Sequence, residues 1–152
     1  IVAVLLGNIV MDKIGYIEWL PTNYIAAVGV MLGHNYPVFF GFKGGKGIAC
    51  TAGLILFFHP YLIIPQVITF FGTFFTTHYV SLGSLLVQIV LLAEMIILGE
   101  NGVFNMERPA LIELYILTFL LGCLAFWGHR QNIDRLIHKS ERKTYLSKKS
   151  DN

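Results

Sequence analysis

The sequence predicts an all-α, polytopic integral membrane helical bundle, and three observations carry that prediction. Hydrophobic residues make up 55% of the chain and charged residues only 13%, where soluble domains carry roughly 25% charged residues. Mean hydropathy is +0.66. The apolar residues, 12 Phe among them, fall in long runs rather than in alternation, the pattern of helices that satisfy their own backbone in lipid.

Taken in order, residues 1–11 read as the end of a membrane helix whose start lies upstream, so a preceding segment is expected. Residues 12–21 form a polar loop with Tyr16 and Trp19 placed as interfacial anchors. Residues 22–32 are apolar but short, and 48–58 form a second short run that ends at His59-Pro60. Pro60 removes a helical donor and biases His59 away from the helical region. A reversal is expected there, followed by a helix over 61–76. After the break at 77–80, residues 81–98 span about 27 Å at ~1.5 Å per residue, enough for a tilted crossing. Pro109 suits the first turn of a last helix over 109–127. Residues 1–128 thus form a membrane domain with two functional loops, 34–47 and 77–84, and 129–152 form a basic C-terminal segment.

Charge fixes the expected sidedness. With alternating helices, the loop at 33–47, the break at 77–80 and the tail share one side. That side holds Lys43, Lys46, Arg130, Arg135, Lys139, Arg142, Lys143, Lys148 and Lys149, against Lys13 and Arg108 on the other. By the positive-inside rule the tail is cytoplasmic, and the reversal at Pro60 is favoured over one long kinked helix. Glu94 and Glu113 fall near the outer ends of their helices, where a carboxylate is cheap. Cys50 and Cys123 have neither CxxC spacing nor metal-ligand companions, so buried inert thiols are expected, with no metal site and no cofactor.

Three polar stretches can carry chemistry. The first, GHNYPVFFGFKGGKG at 33–47, holds His34, Lys43, Gly44, Gly45, Lys46 and Gly47 with no acid beside them. Its last glycine and lysine lack the spacing and the Ser or Thr of a P-loop. Glycines that admit a ligand close to the backbone, beside a lysine at a helix start, suit a phosphate; the same loop also reads as a plain topology signal. The second stretch, HRQNIDRL, supplies His129, Arg130, Asn132 and Arg135. Histidine exchanges a proton near neutral pH and arginine holds phosphate in a fork, while a basic juxtamembrane tail that binds anionic headgroups accounts for the same charges. If the segment is helical, His129 shares a face with Asn132, and Gln131 with Arg135; His129 and Asp134 fall about 140° apart, too far to act as a pair. The third, Ser81-Leu82-Gly83-Ser84, opens a helix and reads as an N-cap or a pair of hydroxyl contacts.

Together, GHNYPVFFGFKGGKG, YVSLGS and HRQNIDRL resemble, in order and spacing, motifs of the bacterial acyl-phosphate:glycerol-3-phosphate acyltransferases, the PlsY family, from Leu32 to Glu141. The resemblance implies a seven-helix membrane enzyme, of which this chain would hold about six helices, the first incomplete. It implies transfer of a fatty acyl group from acyl phosphate to the 1-hydroxyl of glycerol 3-phosphate, giving lysophosphatidic acid and phosphate, in the bacterial inner membrane. It implies that Gly44, Gly45 and Lys46 cradle phosphate with Lys43 and Gly47 beside them, and that His34 supports their loop. Ser81 and Ser84 would add hydroxyls. His129, Arg130, Asn132 and Arg135 would serve the glycerol-phosphate pocket, with His129 and Lys46 in catalytic roles. The partners implied are the two substrates and membrane lipid, with no nucleic acid and no obligate protein partner. The family's first motif is absent, His78 stands where a basic residue is usual, and Lys139 replaces the glycine expected before the motif glutamate, Glu141. A membrane transporter or channel for a small anion is the alternative; it requires polar groups at mid-membrane depth, where this chain offers only Gln66, Gln88 and scattered Thr.

Overall fold

A computed structural model of the chain describes residues 22–42 and 44–145. Six α-helices follow one another there: α1 Thr22–Asn35, α2 Ile48–Phe58, α3 Ile63–Thr77, α4 Val80–Glu100, α5 Arg108–Gly128 and α6 Arg130–Ile137. Short 3-10 turns at Val38–Phe40 and Pro60–Leu62 link the first three. The described residues contain no strand. The expected partial helix over 1–11 lies outside them. The sixth helix is therefore a different one: α6, short and polar, is built from the basic segment.

Proline and positive-φ residues punctuate the chain. α1 stops two residues before Pro37, and α2 begins directly after Gly47, whose φ of 81° suits glycine. His59, forced out of the helical region by Pro60, is extended at φ −154°, ψ 132° and ends α2. At the other end of α3, His78 takes the left-handed conformation and donates its N–H to Phe74 O at 2.8 Å. Only His78 and Tyr79 separate α3 from α4, so these two helices are antiparallel neighbours. α2 runs parallel to α4: Gln88 Nε2 donates to Thr51 Oγ1 at 3.1 Å, one turn deeper than the level of Ile48 and Ser84. The chain therefore does reverse at Pro60.

Along the bundle, α4 packs against α3 and α5, and α1 against α2 and α5. Leu62, Leu91, Met95 and Leu114 are completely buried at the centre. The outward faces are also apolar: Ile64, Ile68, Phe71 and Phe75 on α3, Ile89 and Ile97 on α4, and Ile116 and Phe119 on α5 are exposed. Such a belt has no aqueous explanation and suits lipid. α4 and α5, each of 21 residues, are long and apolar enough to cross a membrane. The interior glutamines are ties between helices: Gln88 holds Thr51, and Gln66 Nε2 donates to Glu94, about 20 Å along α4 from Val80. Bonds of this kind contribute about 0.6 kcal/mol each in a membrane bundle. The cysteines depart from expectation. Cys50 is half-buried and Cys123 exposed, because position 123 falls on the outward face of α5; both are free thiols.

Candidate functional site

The up-and-down order brings the C-terminal ends of α1, α3 and α5 to the same end of the bundle as the N-terminal ends of α2 and α4. The loops between them line an open cavity of about 800 Å³. Its wall is assembled from the end of α1 (His34), the glycine loop (Gly45, Lys46), the start of α2 (Ile48, Ala49), the start of α4 (Ser81, Ser84), the α5–α6 junction (His129), α6 (Asn132, Arg135) and the segment after α6 (Ser140, Glu141, Arg142, Thr144). Three stretches far apart in sequence thus meet in one place. Ile48 and Ala49, the first residues of α2, line the cavity, and the first amides of a helix, which have no intrahelical acceptor, favour an anion.

The glycine loop is shaped by its contact with His34. Gly45 N–H donates to His34 O at 3.0 Å. A Cβ at Gly44 would lie 2.0 Å from that same oxygen, and one at Gly45 would lie 1.9 Å from His34 Nε2. Only glycine lets the loop lie this close to the end of α1. Gly44 and Gly47 do not line the cavity; they set the path of the loop, Gly47 over the buried Met31. Lys43 lies outside the described residues. Lys46 extends across the cavity, and its Nζ donates to Asn132 Oδ1 at 2.5 Å.

His129 ends α5 and is 3% exposed. Its Nδ1 lies 2.8 Å from Ala125 O; a carbonyl only accepts, so Nδ1 carries the proton and Nε2 of the neutral ring keeps its lone pair. Burial lowers its pKa below the usual imidazole value, and the Lys46 charge adds to this, against the opposing pull of Ala125 O and Glu141. The ring is neutral at pH 7.

The centre of the polar cluster is a residue that the composition of the tail does not single out. Glu141 accepts from Asn132 Nδ2 at 2.6 Å, Ser81 Oγ at 2.7 Å and Arg135 Nε at 2.7 Å. Burial pushes its carboxyl up, but these three donors and the Arg135 charge outweigh that and hold its pKa at about 2. Lys139, in the left-handed conformation at φ 54°, turns the chain back after α6 and delivers Glu141 to this point. The strap then continues to the α3–α4 turn, where Thr144 N–H donates to His78 O at 2.9 Å and the Tyr145 ring lies tilted against His78 with centroids 4.6 Å apart. The sequence signal for it was the resemblance, which marks Glu141 as the motif glutamate without giving it a role.

Some expected residues sit otherwise. Arg130 is turned away from the cavity, its guanidinium 5.1 Å from the Trp127 ring and bonded to Trp127 O at 3.0 Å. α6 directs Asn132 and Arg135, three residues apart, inward, and position 130 falls on the opposite side. Gln131, one turn before Arg135 on the same helix, is exposed and does not line the cavity. Ser81 and Ser84 line the cavity, yet their protons are committed to Glu141 and to Val80 O at 3.0 Å, so they offer lone pairs rather than donors in this arrangement. Asp134 pairs with His138 at 3.3 Å and has no contact with His129.

Comparison with known proteins gives the family. A family model described as glycerol-3-phosphate acyltransferase matches residues 1–139. The chain is 35% identical over 123 residues to Glycerol-3-phosphate acyltransferase 2 of Bacillus cereus, covering 80% of this chain and 56% of the relative. It is 36% identical over 119 residues to the Glycerol-3-phosphate acyltransferase of Syntrophomonas wolfei, covering 78% and 56%. It thus spans little more than half the length of these curated relatives. Crystal structures of PlsY (YgiH), an integral membrane glycerol 3-phosphate acyltransferase, superpose with a TM-score of 0.72 at 28% identity, over 94% of this chain; the glycerol 3-phosphate form is covered over 66% of its length and the lysophosphatidic acid form over 67%. The all-α membrane bundle expected from composition is the fold found. The chain belongs to the glycerol-3-phosphate acyltransferase family.

Proposed function

We propose that the complete protein transfers a fatty acyl group from acyl phosphate to the 1-hydroxyl of glycerol 3-phosphate, using this cavity at the cytoplasmic face of the bacterial inner membrane. The observation that carries the proposal is the convergence of Lys46, the start of α2, His129, Asn132 and Arg135 on one cavity, together with membership of the family. Placement at the cytoplasmic face rests on the positive-inside distribution of Lys and Arg.

Acyl phosphate is already activated, so one displacement suffices. The glycerol oxygen bonds to the acyl carbon, and the bond from that carbon to the phosphate oxygen breaks. Phosphate leaves with the electron pair. Lys46 and the amides of the loop and of the start of α2 stabilise the departing charge. Asn132 and Arg135 hold the glycerol-phosphate end. The hydroxyl proton goes either to Nε2 of His129 or to a phosphate oxygen of the substrate, whose second pKa is about 6.

A pH–rate profile separates the two acceptors. If His129 is the base, the neutral ring stays competent below the usual imidazole pKa, and His129→Gln lowers kcat by about 10²–10⁴ and removes the acid limb. An unchanged rate and profile assigns the proton to substrate phosphate. The reaction itself is tested by incubating the complete protein in membranes with acyl phosphate and glycerol 3-phosphate. Lysophosphatidic acid is the expected product; no product from folded, inserted protein would remove the proposal. The transporter reading gains nothing from the bundle interior, where Gln66 and Gln88 are tied to Glu94 and Thr51.

A further inference from the structure

We propose that Arg142 is a further contact for a substrate phosphate in this cavity, beside those made by Lys46 and Arg135. The inference rests on the acyl-transfer reading, in which both substrates carry a phosphate group.

Among the described residues, Lys46, Arg135 and Arg142 are the Lys and Arg side chains that line the cavity. Two of them are engaged with protein: Lys46 Nζ with Asn132 Oδ1 at 2.5 Å, and Arg135 Nε with Glu141 Oε2 at 2.7 Å. Arg142 makes no hydrogen bond or ion pair with any described residue. Its neighbours in the tail have other roles. Lys143 lies 5.7 Å from the Tyr79 ring, and Arg130 covers Trp127.

The backbone at Arg142 is nevertheless fixed. Glu141, one residue before, is held by its three donors, and Thr144, two residues after, is bonded to His78 O. Arg142 is thus an exposed, uncommitted residue of the cavity wall whose backbone is pinned on both sides. Such a side chain loses less freedom on binding than one on a free tail.

Charge gives the class of ligand. With His129 neutral, Lys46, Arg135 and Glu141 sum to one positive charge. A phosphate monoester near neutral pH carries about −1.5 to −2, so that sum does not balance even one phosphate. Arg142 raises it to two and adds five N–H donors in the fork that suits phosphate oxygens. The chemistry recognised is a terminal phosphate, supplied by glycerol 3-phosphate or by acyl phosphate.

The test uses Arg142→Ala and Arg142→Lys in the complete protein, with KM measured separately for the two substrates. The expected result is a rise of about tenfold in one KM for the alanine variant, with kcat within about twofold and partial recovery in the lysine variant. A rise for glycerol 3-phosphate assigns Arg142 to the acceptor; a rise for acyl phosphate assigns it to the donor. Two unchanged KM values, or a fall in kcat alone, would overturn the assignment. Wild-type protein run in parallel keeps the readings apart: an active wild type with an unaffected alanine variant refutes Arg142 alone, and an inactive wild type refutes the parent reading.

Discussion

Lys46→Ala is expected to lower kcat by about two to three orders of magnitude, the usual cost of removing one donor from a developing anion, while the protein still inserts and folds. The reason lies in its position. The ammonium reaches across the cavity to Asn132, beside the free amides at the start of α2, so one side chain links the glycine loop to α6. Its removal takes away the positive charge nearest those amides without touching the apolar contacts that hold the bundle. Steady-state kinetics on purified protein, with thermal unfolding as the control for folding, checks it. Full activity in Lys46→Ala would dismiss the phosphate cradle.

Glu141→Ala should have the largest structural effect at the site. The carboxylate is the common acceptor for Ser81, Asn132 and Arg135, and its side chain is 7% exposed. Truncation leaves three donors without their acceptor and frees the strap. A loss of roughly 1–3 kcal/mol is expected, held to that range because Arg135 is 42% exposed and partly screened by solvent. The measurement is a lowered unfolding temperature together with faster proteolytic cleavage after α6. Acid reproduces the change. Because the folded carboxyl titrates at about 2, below its ordinary 4.5, its contribution is complete above pH 4.5 and is lost as pH falls toward 2. Cleavage of the wild-type strap should therefore accelerate over that window, and Glu141→Ala should show no such dependence.

Much of the fold was legible because apolar runs and prolines act locally. Pro37, Pro60 and Pro109 each mark a helix boundary within a few residues, and the positive-inside count anticipated the reversal at His59. The glycine loop, His129, Asn132 and Arg135 were legible as chemistry, since basic and hydrogen-bonding groups at the ends of apolar runs have few other uses. What escaped depends on rotation and return of the chain. Arg130 and Arg142 are equivalent in composition, yet the turn of α6 sends one to Trp127, and the left-handed Lys139 brings the other to the cavity. Glu141 was marked as a motif glutamate by the resemblance, but its role shows only where that same turn sets it among its three donors. The hydroxyls of Ser81 and Ser84 looked free because the bonds that engage them, to Glu141 and to Val80 O, appear only in three dimensions.

In the proposed reaction this cavity couples the loss of phosphate from acyl phosphate to acylation of glycerol 3-phosphate. Phosphate release by the complete protein, measured with and without glycerol 3-phosphate, tests it most directly. Release is expected to require the acceptor and to match lysophosphatidic acid mole for mole. Release that proceeds equally without glycerol 3-phosphate, or its absence when both substrates are present, would contradict it.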